Sequence, residues 1–543
     1  MVPSTRKLSP AETRILICDE LAPAALQIFA QRGFEPEVRL GLSEAELIDA
    51  VSAGVHALIV RSATKITRPV IEAAPELRVI GRAGVGVDNV DTDAATERGV
   101  VVMNTPTGNT TTTGELAIAL LVAIARNVAA GDRRVRAGNW NKKGLLGAEL
   151  TGKRLGVIGL GRIGRVVAER ALGLKLEVCA HDPYLMQTGA DSPIPGVPLM
   201  ELDELLACSD FVTLHVPLLE STRNLLSAER IAMMKPGARL INAARGGLVD
   251  EAALTVALDE GRLAGAALDV LAEEPPGLDH PLVGREDVIL TPHMGASSHE
   301  AQHNVAVGIA EQIADFLVEG VAHNSVNAPA VDSQTLRAIA PYVILAEKIG
   351  AFLAQRCGGP VRKLEVTLGG EIAELDEGYL ALSVLVGVLN QTELGVNRVN
   401  APLIAKDRGI RVLSGTESET HSFQSLLKVR ASTPGGEESH LVTGTVFGRA
   451  PRFVRIDELH LDLAPEGCIL ITTHSDCPGV MGHIGTLLGD AQVNIRRVEL
   501  GTGEGELSTT ASGFLSLDSE PEEQVMDAIR AVEGIQEVRL VRL

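Results

Sequence analysis

The run Gly156-Val-Ile-Gly-Leu-Gly-Arg-Ile-Gly164 constrains this 543-residue chain more than any other stretch. Arg154 to Ile158 reads as a strand, the turn Gly159-Leu-Gly-Arg-Ile-Gly164 breaks it, and Arg165 to Leu172 reads as a helix. A second short strand, Leu176 to Ala180, ends at His181-Asp182. Gly159 permits the tight turn, Gly161 lets the backbone approach a pyrophosphate, and Gly164 lets helix and strand pack closely. The helix N-terminus supplies free N–H groups and the positive end of its dipole. Asp182 stands about 20 residues beyond the turn, where a carboxylate accepts hydrogen bonds from an adenosine ribose. These features together predict a dinucleotide site. A ribose 2′-phosphate would be repelled by Asp182, and Pro183-Tyr184-Leu185 brings no Arg to receive one, so NAD is favoured over NADP. Arg162, inside the turn, reads as a pyrophosphate contact.

Composition narrows the setting. The chain is 45% hydrophobic but only 2% aromatic, so its cores are aliphatic. A net charge of −21 argues against a nucleic-acid or membrane-surface partner, and an anionic substrate needs a local positive pocket to overcome that field. The six cysteines, at 18, 179, 208, 357, 468 and 477, form no CxxC pair and read as reduced thiols, not as a metal or disulfide framework. Met1 to Thr13 lacks the apolar core of a secretory signal, and Leu116 to Ala125 is too short to span a bilayer. A soluble, cytoplasmic protein is expected.

Residues 14 to 104 alternate short strands (14–18, 57–61, 78–82, 100–104) with helices (23–32, 43–52, 70–74), which predicts a second parallel α/β domain. Glu115 to Arg126 is a helix apolar nearly all round, which suggests deep burial or a subunit interface. Strands recur at 211–215, 239–242, 266–270 and 288–291, and the long helix His299 to Gly320 is expected to return to the N-terminal domain. Helices at 336–355 and 380–394 and strands at 361–368, 425–431 and 440–447 follow, the last two strands joined by a Pro434-Gly435 turn. From Cys468 the order is strand, helix, two strands, helix, strand, a ferredoxin-like split βαβ arrangement. Within it, Gly501 to Gly505 reads as a polar turn and 507–512 as a Ser/Thr-rich strand.

Three residues stand at successive strand ends after the glycine turn, where open α/β sheets place their ligands. They are Arg245 in Asn242-Ala-Ala-Arg-Gly-Gly247, Glu274 in Asp269-Val-Leu-Ala-Glu-Glu-Pro-Pro276, and His293 in Thr291-Pro-His-Met-Gly-Ala296. Hydride transfer from an alcohol needs a base for the hydroxyl proton, and His titrates nearest neutrality. A carboxylate orients the ring and stabilises the imidazolium, while a guanidinium grips a substrate carboxylate. Each residue alone has an ordinary alternative: a structural His, a loop-capping Glu, a surface Arg.

These residues resemble the D-isomer-specific 2-hydroxyacid dehydrogenases, and the resemblance runs over almost the whole chain. Val60-Arg-Ser-Ala-Thr-Lys65, Gly81-Arg-Ala-Gly-Val-Gly-Val-Asp-Asn-Val-Asp91, Met103-Asn-Thr-Pro106, Trp140, Asn242 to Asp250, Gly265 to Pro276 and Thr291 to Ser297 carry it. It implies Arg245 as substrate anchor, His293 as acid/base and Glu274 as its partner. It places Arg61, Ser62, Gly84, Gly86 and Asn89 in substrate-side loops, with Lys142 and Lys143 as cationic phosphate contacts, sometimes offered to a neighbouring subunit. The cofactor positions it implies, beside Gly159, Gly161 and Gly164, are Arg162, Ile163, Asp182, Val216, Ala243 and Asp269. The implied architecture is two doubly wound parallel-sheet domains, a Rossmann-type NAD domain (106–295) inserted in a flavodoxin-like substrate domain (11–105 and 296–328). An α+β intervening domain (329–466) and a ferredoxin-like ACT domain (467–543) follow.

In the last of these, His474-Ser-Asp-Cys-Pro-Gly-Val-Met481 and Val493-Asn-Ile495 resemble a ligand loop and contact strand, which implies Asp476 and Asn494 as contacts for L-serine. The implied substrate is 3-phosphoglycerate and the implied assembly a homo-oligomer, dimer or tetramer. Two readings stay open beside it: a glyoxylate, hydroxypyruvate or other 2-hydroxyacid dehydrogenase, and a non-catalytic NAD-sensing protein. The cationic set Arg61, Arg82, Lys142 and Lys143 suits a phosphate and is wasted on glyoxylate, while an intact Arg245, Glu274 and His293 speaks against lost turnover.

Overall fold

The computed structural model describes residues 9–189, 191–329, 331, 333–374, 376–418, 423–436, 438–502 and 510–543. Four sheets organise them. The first is wholly parallel, with strands Ile15–Ile17, Glu37–Val38, Ala57–Val60, Val79–Arg82 and Val101–Asn104 in the spatial order second, first, third, fourth, fifth. This is the flavodoxin-like order. Its inner strands are continuous apolar runs because helices cover both faces. Glu37–Val38 escapes a reading by hydrophobic pattern because it is a two-residue, exposed edge. Helix His299–Glu319 lays Val305, Ile309 and Ile313 into this sheet's core, beside Ile15, Phe29 and Ile59.

The second sheet holds six parallel strands. From one edge they run Val288–Leu290, Gly265–Leu268, Arg239–Asn242, Phe211–Leu214, Arg154–Ile158 and Glu177–His181. A parallel bridge from Ala180 to Leu199 adds a rudimentary seventh position outside Glu177–His181, which completes the Rossmann order about the first strand. The order reverses between Arg154–Ile158 and Phe211–Leu214, so their carboxyl ends open a crevice. The apolar helix buries one face inside the domain. Thr110–Ala125 inserts Ala117, Leu120, Leu121 and Ile124 into this domain's core, and Gly114 lets it approach helix Arg162–Gly173 so closely that a Cβ would sit 2.6 Å from Val166. No single helix among the described residues is long and apolar enough to cross a membrane.

The third sheet is mixed, in the order Arg411–Glu417, Lys363–Gly370, Ser425–Ser432, Ser439–Phe447, Ala450–Ile456, Leu459–Leu463, with only the first pair parallel. Helices Ser333–Arg356 and Glu377–Leu389 cover one face, packed so tightly that a Cβ on Gly387 would meet the Glu347 carbonyl at 2.1 Å. The polar edge strand Arg411–Glu417, the strands Ala450–Ile456 and Leu459–Leu463, and helix Ala401–Arg408 carry too weak a pattern to be read from sequence.

The fourth sheet is antiparallel in the order Ile495–Thr502, Thr510–Leu517, Cys468–Ser475, Ile535–Arg542, with helices Val480–Asp490 and Glu523–Arg530. This is the split βαβ topology. The polar turn and Ser/Thr-rich strand read at 501–505 and 507–512 fall largely on 503–509, outside the described residues. The third and fourth sheets share one core, in which Ile469, Ile471, Phe514 and Val541 meet Phe352 and Leu345.

A polar seam closes that junction. Gln355 and Arg542 exchange two hydrogen bonds of 2.8 and 2.9 Å, and Arg356 reaches Glu537 at 3.2 Å. Behind the seam His440 lies between two carboxylates, Asp457 Oδ2 on Nδ1 and Glu438 Oε1 on Nε2, each at 3.1 Å. A neutral ring donates from one nitrogen only, so this arrangement requires the imidazolium. The bond to Asp457, aided by Glu438 and opposed by burial, raises the His440 pKa. Because the folded-state value is raised, the stabilisation is complete below the unfolded value near ~6.5 and is lost as pH climbs through the folded one. His440→Gln is therefore expected to lower stability by about 1–3 kcal/mol at pH 6 and by less at pH 9. Thermal unfolding at the two values measures this, and a pH-independent gap would remove the imidazolium from the account.

Candidate active site

The crevice is built from the ends of the second sheet's strands. Gly159 has φ +92°, and a Cβ there would collide with the His215 carbonyl at 2.7 Å. A Cβ on Gly164 would stand 2.0 Å from the Gly159 carbonyl, which is why that turn of helix can lie on the strand. Gly161 differs. It is the N-cap of helix Arg162–Gly173, supplies no side chain to the helix N-terminus, and a Cβ there would meet nothing within 4 Å. An uncapped helix end facing open space fits a dinucleotide pyrophosphate.

Asp182 has a structural task the sequence did not reveal. Its Oδ2 accepts the Leu160 N–H at 2.9 Å, and its Oδ1 accepts the N–H groups of Tyr184 and Leu185 at 3.1 and 3.2 Å. The carboxylate thus caps helix Pro183–Gln187 and ties it to the glycine turn. Of its two oxygens, only Oδ2 keeps a lone pair free of these bonds.

Asn242 ends its strand and folds the next turn, accepting from Ala244 N–H at 3.0 Å and donating to the Arg245 carbonyl at 2.8 Å. Arg245 then projects across the crevice, with Nη1 on the Ala244 carbonyl at 2.7 Å and Nε on Asp88 at 2.9 Å. His293 Nδ1 meets Glu274 Oε2 at 2.7 Å, and Glu274 Oε1 accepts the Leu271 N–H at 3.1 Å. The carboxylate is thereby fixed before it fixes the ring. His293 sits at φ +48°, a conformation uncommon outside glycine, held because its N–H donates to the Asp269 carbonyl at 2.9 Å.

Asp269, read as a cofactor position, is 1% exposed and spends its carboxylate inside the protein. Oδ1 accepts from the Thr291 hydroxyl at 2.6 Å and Met294 N–H at 2.9 Å, and Oδ2 from Gly295 N–H at 2.9 Å. Burial pushes its pKa up, and these donors oppose the rise.

A cleft of about 590 Å³ between the first and second sheets gathers Arg61, Ser62, Gly86, Arg162, Ile163, Val216, Ala243, Arg245, Asp269 and His293. Other expected residues lie elsewhere. Asn89 is spent on the loop, donating to the carbonyls of Arg61 and Thr64 at 2.7 and 2.6 Å. Gly84 makes room for Arg82, whose Nη1 lies 1.6 Å from where its Cβ would be. Lys142 and Lys143 are exposed on the segment after helix Val128–Arg136, so within one chain they do not reach the cleft. Asp476 is exposed on its loop, and Asn494 precedes the strand rather than standing on it, its N–H donating to Asp518 at 3.0 Å.

Arg82, of the cationic set expected to suit a phosphate, lines the cleft with a buried Nε lacking a partner among the described residues, and burial, then the charge of Arg245, lowers its pKa to about 10. The cleft also contains residues that the expected site did not include. Asn109 likewise has a buried, unpaired Oδ1. His215 is held neutral, its pKa pushed by desolvation to about 4. Asp88 and Thr113 also line the cleft, the latter donating to the Gly295 carbonyl at 2.8 Å.

Residues 118–295 match the family model for the NAD-binding domain of D-isomer-specific 2-hydroxyacid dehydrogenases, 338–457 that for the D-3-phosphoglycerate dehydrogenase intervening domain, and 469–534 that for the ACT domain. The D-3-phosphoglycerate dehydrogenase of Archaeoglobus fulgidus is 39% identical over 98% of this chain and 100% of its own length. That of Synechocystis is 40% identical over 98% of this chain and 95% of its own. The chain belongs to the D-3-phosphoglycerate dehydrogenase family. Among solved structures it resembles the TT0316 protein of Thermus thermophilus, 40% identical with TM-score 0.53, over 58% of this chain and all of that one. A glyoxylate reductase from Paecilomyes thermophila, 29% identical with TM-score 0.52, covers the same share of this chain and 98% of its own. The family's NAD-binding domain thus coincides with the sheet whose glycine turn faces open space.

For this family member Asp182→Ala is expected to do two things at once. It removes the repulsion toward a 2′-phosphate, and it removes a cap worth about 0.5–2 kcal/mol. The ratio of kcat/KM for NAD and NADP, with thermal unfolding of the same variant, separates the effects; an unchanged ratio places cofactor choice elsewhere.

Proposed function

We propose that this protein oxidises D-3-phosphoglycerate to 3-phosphohydroxypyruvate with NAD, the first step of phosphorylated L-serine biosynthesis, and that L-serine regulates it through the ACT domain. The observation that carries this reading is the His293–Glu274 pair opening on a cleft lined by Arg61, Arg82 and Arg245. Three guanidiniums in a chain of net charge −21 make a local positive pocket for a substrate bearing both a carboxylate and a phosphate. A substrate without phosphate, such as glyoxylate, would leave Arg82 unanswered.

Residues 11–105 and 296–328 are assigned to the substrate domain, 106–295 to the NAD domain, 329–466 to the intervening domain and 467–543 to the ACT domain. Gly159, Gly161, Arg162 and Gly164 would hold the pyrophosphate and Asp182 the ribose. NAD, when bound, supplies the hydride acceptor. The chain's own residues do the rest. Arg245 turns the carboxylate end of the substrate, and Arg61 and Arg82 receive its phosphate. His293 Nε2 takes the hydroxyl proton, because its Nδ1–H is committed to Glu274, which stabilises the imidazolium that forms. Lys142 and Lys143 lie between Trp140 and Leu146, 90% and 93% exposed. We assign this arm to a subunit contact in a homo-oligomer, where those lysines reach the neighbour's substrate.

His293→Ala is expected to cut turnover about 10²–10⁴-fold while calorimetric NAD binding survives. Turnover within about twofold of wild type would take His293 out of the mechanism. For regulation, saturating serine is expected to shift activity by about 5–150-fold, the span of ordinary coupling energies, with Asp476→Ala or Asn494→Ala blunting the response. An enzyme that ignores millimolar serine in activity and calorimetry would leave the ACT domain as an assembly module.

A further inference from the structure

The arginine assigned to the substrate carboxylate already holds a carboxylate. Asp88 belongs to the loop after strand Val79–Arg82 of the first sheet, and Arg245 to the turn after Arg239–Asn242 of the second, so their ion pair spans the cleft. A guanidinium offers a carboxylate two parallel N–H bonds along one edge, either Nε with Nη2 or Nη1 with Nη2. Asp88 takes Nε from the first edge at 2.9 Å, so that edge is already engaged, and the Ala244 carbonyl holds Nη1 at 2.7 Å. Nη2 lies along Gly86, where a Cβ would stand 1.8 Å from it, so the guanidinium cannot swing freely toward that loop. Asp269, the other acid lining the cleft, is spent on Thr291, Met294 and Gly295. Asp88 is therefore the carboxylate that competes. Its side chain is 64% exposed, so the pair is weak enough to exchange.

We propose that Asp88 is a positioning residue that occupies Arg245 in place of the substrate carboxylate and is displaced when that carboxylate binds. It keeps the guanidinium extended across the cleft, and a phosphate ester without a carboxylate leaves the pair in place and gains nothing from its removal. The inference rests on the reading of Arg245 as the substrate anchor.

Asp88→Asn keeps the size of the side chain and an oxygen for the Nε–H, and removes the competing charge. Calorimetry on the full chain without NAD compares 3-phosphoglycerate with glycerol 3-phosphate, which shares the phosphate and lacks the carboxylate. The variant is expected to raise the preference for phosphoglycerate over glycerol phosphate about 2–5-fold, the scale of an exposed ion pair, and to lower KM for phosphoglycerate by a similar factor. An equal gain for both ligands would reveal a general field effect and overturn the inference. Weaker phosphoglycerate binding would overturn it too, by making Asp88 a simple orienting partner. A wild-type enzyme that neither binds nor oxidises phosphoglycerate would overturn the anchor reading and this inference with it. Wild-type turnover with an unchanged ratio in the variant would overturn this inference alone.

Discussion

Asp269 ends strand Gly265–Leu268 with a buried carboxylate, and three donors of the following loop, from Thr291, Met294 and Gly295, converge on it. A buried carboxylate is tolerated only when its lone pairs are satisfied, and here satisfying them dictates the path of the loop that carries His293. The Asp269 carbonyl completes the frame by accepting the His293 N–H, which holds that residue at its unusual positive φ. Thr113 then clamps the Gly295 carbonyl from the buried helix Thr110–Ala125. The imidazole reaches the cleft from a backbone whose polar groups are committed elsewhere, so its orientation depends little on solvent. Rigid support of this kind is what proton transfer at a defined atom needs.

Electrostatics across the cleft follow from the same architecture. Carboxyl ends of parallel strands from two sheets face one another, and each contributes arginines: Arg61 and Arg82 from the first, Arg245 from the second. Their mutual repulsion is visible at Arg82, whose pKa is lowered by burial and then by Arg245. Asp88 offsets part of that charge. A substrate with two anionic groups would offset more.

The remaining domains are joined to this centre by packing and not by a loose tether. Val399, from the segment before helix Ala401–Arg408, is buried in the core of the first sheet, and Asn397 donates to the Gly99 carbonyl at 2.8 Å. At the other end the third and fourth sheets share a core and the Gln355–Arg542 seam. A continuous set of contacts therefore runs from the ACT sheet to the substrate-side sheet.

The local code of this chain was strong where one short segment contains the whole device. Gly159 to Gly164 with the flanking strand and helix specifies a dinucleotide turn because the steric demands at each glycine are met by neighbours close in sequence. The strand-end placement of Arg245, Glu274 and His293 was legible for the same reason, since alternating apolar runs reveal where strands stop. Edge strands such as Glu37–Val38 and Arg411–Glu417 were not, because a strand with an exposed face lacks an apolar pattern. Tertiary structure alone decided the pairings between distant segments: Asp88 on Arg245, Asp182 on the glycine turn, Asp269 on the histidine loop, His440 between two acids. Each joins a charge to a partner whose distance is set by sheet order and loop packing, quantities that no single segment encodes.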